Sequence, residues 1–281
     1  MTAVGLALAS AALFGAMSVA LRFALQSGAS AEVGALLTAV PALAVVLVYA
    51  LADGLHDVAA AWPFALAGLV APGASQILFT LAVRDAGPSR TSVLVGTAPL
   101  FSVVIALTLL DEPLVPALVV GAVLVVAGGT MLVGERVRPE SFRLMGYAFA
   151  LVATVLFATR DNLLRWLAVD TDVPASLAAL ATLGSGTLLV AAFTLARGRL
   201  SLRGAPTFGL AGICFGLSYV ALFEAYYRGR VTVVSPLIAT ESLFGVLFSA
   251  LVIRRAELIG KGLVAGAALI VAGGALIGAF R

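Results

Sequence analysis

Thr97–Gly129 reads TAPLFSVVIALTLLDEPLVPALVVGAVLVVAGG: an apolar run of helix length, a charged break at Asp111-Glu112-Pro113, and a second apolar run closing on Ala127-Gly128-Gly129. The pattern returns over Thr240–Gly274 as TESLFGVLFSALVIRRAELIGKGLVAGAALIVAGG. Leu100-Phe101 is echoed by Leu243-Phe244, Glu112 by Glu257, Gly121-Ala122 by Gly266-Ala267, and the closing triplet by Ala272-Gly273-Gly274. The offset is 143 before the break and 145 after it, which places a two-residue insertion at Arg254-Arg255. Carried backwards, the offset of 143 sets Phe14 on Phe157, Arg22 on Arg165, Gly73 on Gly216, Ser75 on Ser218 and Ala82 on Ala225, so the duplication spans nearly the whole chain. A repeat of half the chain predicts two structural halves related by an axis, a construction common among secondary transporters.

Of the 281 residues, 62% are hydrophobic and 11% charged, less than half the roughly 25% charged content of a soluble domain. Ten apolar runs recur, at 3–25, 31–52, 62–83, 88–110, 114–134, 145–167, 174–196, 206–227, 231–253 and 261–280. Each is about the 20 residues that cross the hydrocarbon at 1.5 Å per residue. The expected fold class is all-α integral membrane: ten transmembrane helices as two inverted five-helix repeats, 1–134 and 145–281, joined by a polar linker at 135–144. An odd number of helices per half turns the second half over. No Lys or Arg precedes the first run, and it exceeds a signal peptide's apolar core of about 7–15 residues, so it is expected to be retained.

The net charge of +3 and the isoelectric point near 9.4 come from basic residues scattered between apolar runs, which fits membrane orientation and no nucleic-acid partner. Arg22, Arg84, Arg90, Arg136, Arg138, Arg143, Arg197, Arg199, Arg203, Arg254, Arg255 and Lys261 follow odd-numbered runs; only Arg165, Arg228, Arg230 and Arg281 lie on the other side. Because positive residues stay in the cytoplasm, both termini are expected outside the cytoplasmic (inner) membrane.

A charge at the bilayer centre costs from about 2.5 to well over 10 kcal/mol, so each intramembrane charge needs a partner or a wet cavity. Asp161 precedes Arg165 by four and Glu224 precedes Arg228 by four, the order that favours local pairs. Arg160 and Glu241 have no opposite charge three or four residues away, and Glu241 falls at the middle of the ninth run. Tyr219, Phe223 and Tyr226 share one helix face, suited either to a planar substrate portion or, for Tyr226 and Tyr227 at the helix end, to an interfacial belt. Ser75, Gln76 and Thr80 are either interhelical glue or cavity lining. The fifth and tenth runs are bland scaffold, and Gly262, Gly266, Gly274 and Gly278 stand four apart in a pattern that admits close helix approach, a homodimer seam included.

The lone histidine, His56, lies in a loop, and the single cysteine, Cys214, reads as an inert buried thiol. There is no G-x-S-x-G, H-E-x-x-H or Walker-type loop, so no metal, cofactor or catalytic motif is expected.

The two copies of the motif, A-P-L-F with L-L-D-E-P and G-A-x-L-x-x-A-G-G, then T-E-S-L-F with G-A-A-L-I-V-A-G-G, resemble the paired EamA-type domains of the drug/metabolite transporter superfamily. The resemblance implies a central cavity lined by helices one, three, four, six, eight and nine, with five and ten outside. Glu241 falls where the second repeat of such proteins often carries a glutamate; Ser242 stands in place of the usual following proline, and the first copy has Pro99 without the acid. Short cationic-drug members carry an acid in the first helix, where this chain has Phe14.

The function expected is secondary active transport, exporting small metabolites such as amino acids by alternating access. The competing classes are an intramembrane enzyme using Asp161 and Glu224, a multidrug or toxic-compound exporter, and a sensor that moves nothing. Within the transporter, Arg160 is expected to pair with Glu241 until a substrate carboxylate displaces the glutamate, or else to lock helix six permanently to helix nine.

Overall fold

The computed structural model describes residues 2–55, 57–98, 100, 101, 104, 105, 116–134, 142–169, 171–198, 204–229, 234, 237–252 and 260–280. Its main helices are α1 (Ala3–Leu25), α2 (Ala31–Asp53), α3 (Trp62–Gly68), α4 (Ser75–Ala86), α5 (Pro88–Val95), α6 (Pro116–Gly134), α7 (Met145–Val169), α8 (Ala175–Ala196), α9 (Gly209–Arg228), α10 (Glu241–Val252) and α11 (Lys261–Phe280). The Asp111-Glu112-Pro113 break, the linker residues 135–141, the Arg254-Arg255 insertion, His56 and Pro99 lie outside the described residues.

Local chemistry sets several of these boundaries. Thr2 and Ser30 cap α1 and α2 by accepting from the amides of Gly5 and Val33, and Pro88 opens α5, where no helical N–H is required. The third apolar run is not one continuous helix. Pro72 has no N–H for the ladder and Ala71 is extended, so Leu69–Ala74 forms a wider turn between α3 and α4. The ninth run also departs from expectation, because Glu241 opens α10 instead of lying mid-helix. Thr240 Oγ1 donates to the Leu237 carbonyl (2.5 Å) and Ser242 Oγ to that of Ala239 (2.9 Å), side-chain bonds of the kind that compete with helical turns.

Among the described residues, six stretches are long and apolar enough to cross a bilayer: Ala3–Leu25, Ala31–Asp53, Val58–Ala86, Met145–Val169, Ala175–Ala196 and Ala205–Arg228, with shorter apolar helices at Val119–Gly129, Glu241–Val252 and Lys261–Leu276. Their outer faces expose Val48 (67%), Leu188 (71%) and Leu210 (64%), apolar area that water penalises and lipid does not. The chain is a multi-pass membrane protein with an all-helical fold among the described residues.

The helices pack in a reciprocal pattern. α1 packs on α9, and α7, which lies 143 residues after α1, packs on α4, the counterpart of α9. Likewise α2 packs on α8, α5 on α10 and α6 on α11. A Cβ on Gly128 of α6 would meet the Gly266 carbonyl oxygen at 2.6 Å, and a Cβ on Gly273 of α11, the counterpart of Gly128, would meet the Gly121 oxygen at 2.6 Å. The close approach offered by Gly266 is thus used within the chain, against α6. Gly128→Ala is expected to cost about 1–3 kcal/mol by overpacking. Its neighbour Gly129, with nothing within 4 Å, is expected to tolerate alanine or gain up to about 1 kcal/mol. Melting midpoints in detergent check the pair, and equal midpoints would contradict the glycine seam.

Candidate functional site

A cavity of about 40 Å³ lies where α1, α7 and α9 converge on two interruptions of the chain. Its wall is Ser10 and Phe14 from α1, Val95 and Ala98 at the end of α5, Phe157, Arg160 and Asp161 from α7, Ser218, Tyr219 and Leu222 from α9, and Ile238, Ala239 and Glu241 at the start of α10. The two interruptions are repeat-related: Thr97 Oγ1 donates to the Leu94 carbonyl (2.6 Å), as Thr240 Oγ1 does to Leu237. The motif that marks the duplication therefore also builds the cavity, because a helix that stops at this depth turns backbone and a terminal side chain toward the space. Phe14 and its counterpart Phe157 meet edge to face, with centroids 5.9 Å apart, and Phe79 packs against both.

Arg160 pairs with Asp161 and not with Glu241. Its Nε and Nη2 donate to Asp161 Oδ1 at 2.8 and 2.6 Å, and its Nη1 donates to the Tyr219 hydroxyl at 2.5 Å. Adjacent helix positions lie 100° apart and do not stack on each other, yet both border the cavity, and the long arginine folds back to reach its neighbour. The guanidinium also stands 5.1 Å from the Tyr219 ring centroid and 5.6 Å from that of Phe157, cation–π range. Asp161 therefore does not pair with Arg165, whose Nη1 instead donates to the Tyr226 carbonyl (3.1 Å) at the end of α9.

Glu241 is 4% exposed, and its Oε1 accepts no hydrogen bond among the described residues. Its place at the head of α10 gives the carboxylate the favourable end of the helix dipole. A buried carboxylate oxygen without a partner is costly in apolar surroundings. Here it faces a cavity.

The other expected residues fall elsewhere. Phe223 supports Tyr219 from behind (centroids 5.7 Å apart) and is not on the wall. The Glu224 carboxylate is held by Tyr49 and, as the sequence spacing implied, by Arg228; it too is off the wall, so Asp161 and Glu224 do not meet as two carboxylates in one cavity. Gln76 and Thr80 are fully buried but do not line the cavity: Thr80 Oγ1 donates back to the Gln76 carbonyl, and neither amide atom of Gln76 has a partner among the described residues. Tyr226 is buried and not interfacial, while Tyr227 packs on Phe64. Arg90 is buried in α5 instead of lying in a loop. Sequence reasoning missed Ser10 and the wall role of Ser218; the signal was the apolar setting of two serines on the helices that carry Phe14 and Tyr219.

Residues 1–134 and 144–279 each match the EamA-like transporter family. The chain belongs to that family. A solved structure described as "Crystal structure of protein" is 22% identical with a TM-score of 0.69 and covers 98% of this chain and 96% of its own, which shows a shared fold. The chain matches no curated protein. For an EamA-like transporter, a buried cavity with charged walls at the crossing of its helices is the place to expect recognition of a small molecule.

Proposed function

We propose that this protein is a secondary active transporter that exports small metabolites bearing an amino group, such as amino acids, across the cytoplasmic membrane. Ten spans form two inverted halves, 1–134 and 145–281, joined at 135–144. The observation that carries this reading is Glu241 Oε1, without a partner among the described residues, on the wall of a buried cavity that also holds Arg160, Asp161 and Tyr219. The ammonium of a substrate docks on that oxygen, and Phe14, Phe157 and Tyr219 take its apolar part.

Alternating access follows from rocking one set of helices on the other. Arg22 Nη1 donates to the Arg84 carbonyl (2.6 Å) at the end of α4, and its counterpart Arg165 donates to the end of α9. A cation on a helix C-terminus contributes about 0.3–1 kcal/mol, weak enough for the protein to break one such contact while keeping the other.

With Arg90 set aside as buried, eleven basic residues remain on one side against four on the other, so both termini face outward. A carboxy-terminal alkaline phosphatase fusion is expected to be active, and a fusion active only as a cytoplasmic reporter would reverse the orientation. The transport reading is tested with purified protein in liposomes and a panel of radiolabelled amino acids, basic ones included, and primary alkylamines, with and without a pH gradient. Protein-dependent movement of an unaltered compound is expected; chemical conversion of the compound, or no flux for any of the panel, would sink it.

A further inference from the structure

We propose that Asp161 is the specificity-determining residue of this site. By occupying Arg160 it makes the cavity select a primary ammonium that carries no carboxylate beside it, as on an alkylamine or the side-chain end of a basic amino acid. The inference rests on the cavity being the substrate site and goes further by fixing the charge of what enters.

Among the described residues, the cavity wall holds one cation, Arg160, and two carboxylates, Asp161 and Glu241. Arg160 sets Nε and Nη2 against Asp161 and gives Nη1 to Tyr219, so three of its five N–H donors are engaged and its charge is already met by an internal carboxylate. That leaves Glu241, whose Oε1 has no partner among the described residues, as the acid on the wall with no cation beside it. The wall's serines are also spent as donors: Ser10 Oγ donates to the Ser218 carbonyl and Ser218 Oγ to the Ser10 carbonyl, each at 3.0 Å. An entering ammonium finds a free carboxylate oxygen, hydroxyl lone pairs and the faces of Phe14, Phe157 and Tyr219. An entering carboxylate must compete with Asp161 for the guanidinium while approaching Glu241, a like charge that costs rather than pays.

Replacing Asp161 by asparagine removes one negative charge, leaves the arginine only a neutral amide oxygen in its place, and makes Arg160 and Glu241 a matched pair of opposite charges. That wall suits an amino acid's ammonium and carboxylate together.

Calorimetric titration of detergent-purified protein with isobutylamine, valine and 3-methylbutanoate decides the matter, because the three share an apolar frame and differ only in their charged groups. The wild-type protein is expected to bind isobutylamine at least tenfold more tightly than valine, with no binding of 3-methylbutanoate. Asp161→Asn is expected to bring the amine and the amino acid within threefold of each other, and Glu241→Gln to abolish amine binding. Valine binding as tightly as the amine, binding of none of the three by wild type, or an unchanged ratio in folded Asp161→Asn protein overturns the proposal. Should the variant not fold, the wild-type order alone decides. Amine preference without any flux in liposomes would uphold the charge rule and sink the transporter reading; amino-acid flux without amine preference would do the reverse.

Discussion

Arg160→Met is expected to destabilise the protein by about 3–5 kcal/mol, the usual consequence of removing one partner of a buried ion pair. The loss arises at Asp161, whose side chain is 15% exposed and takes both Nε and Nη2 of the arginine. Without the guanidinium, that carboxylate shares a small cavity with Glu241 and no cation remains on the wall among the described residues. The rescue should therefore be specific. Adding Asp161→Asn to Arg160→Met is expected to restore most of the melting midpoint in detergent, because the orphaned charge is removed. Adding Glu241→Gln is expected to restore little, because Asp161 stays uncompensated. If Glu241→Gln proves the better rescuer, Arg160 pairs with Glu241 in the membrane and the wall's charge count is wrong. The same double variants separate stability from transport: a folded Arg160→Met, Asp161→Asn protein that no longer moves substrate assigns the pair a part in recognition, whereas full transport leaves it structural.

The sequence made the repeat legible because its offset could be checked at many positions, from Phe14 and Phe157 to Gly128 and Gly273. It also brought Arg160, Asp161, Tyr219 and Glu241 forward, since charge and polarity inside apolar runs are conspicuous; all four stand on one cavity wall. Their pairing was not legible. Helical spacing rules compare positions three and four apart, and they say nothing of an arginine that folds back onto the next residue beside a cavity. Glu241 looked mid-helix because Thr240 and Ser242 give no breaker signal as strong as proline, although their hydroxyls bond to backbone carbonyls at the start of α10. For Gln76 and Thr80 the sequence left interhelical packing and cavity lining both open. A polar side chain at membrane depth avoids lipid, but burial against other helices satisfies that demand as well as a cavity does.

The largest packing loss is expected at Gly68, the last residue of α3. A Cβ there would stand 2.1 Å from the Thr182 carbonyl oxygen, 2.2 Å from Ser185 Oγ and 2.7 Å from the Thr182 carbonyl carbon, all on α8. Two of these atoms are backbone, so no side-chain rotation relieves the overlap. Nor is α8 free to back away: Thr182 Oγ1 donates to the Phe64 carbonyl at 3.0 Å and Ser185 Oγ to that of Ala65 at 2.6 Å, both on α3. Separating the helices would lengthen both bonds, each worth about 0.6 kcal/mol in a membrane, on top of an overpacking penalty of about 1–3 kcal/mol. Gly68→Ala is thus expected to cost about 3 kcal/mol or more, read as a lower melting midpoint and a smaller monodisperse fraction in detergent. Gly209→Ala serves as the control, since Gly209 opens α9 with nothing within 4 Å and alanine favours the helix. A Gly68→Ala protein as stable as the Gly209→Ala control would mean that α3 and α8 part without cost, and the close seam that fixes the third span against the second half would not exist in the membrane.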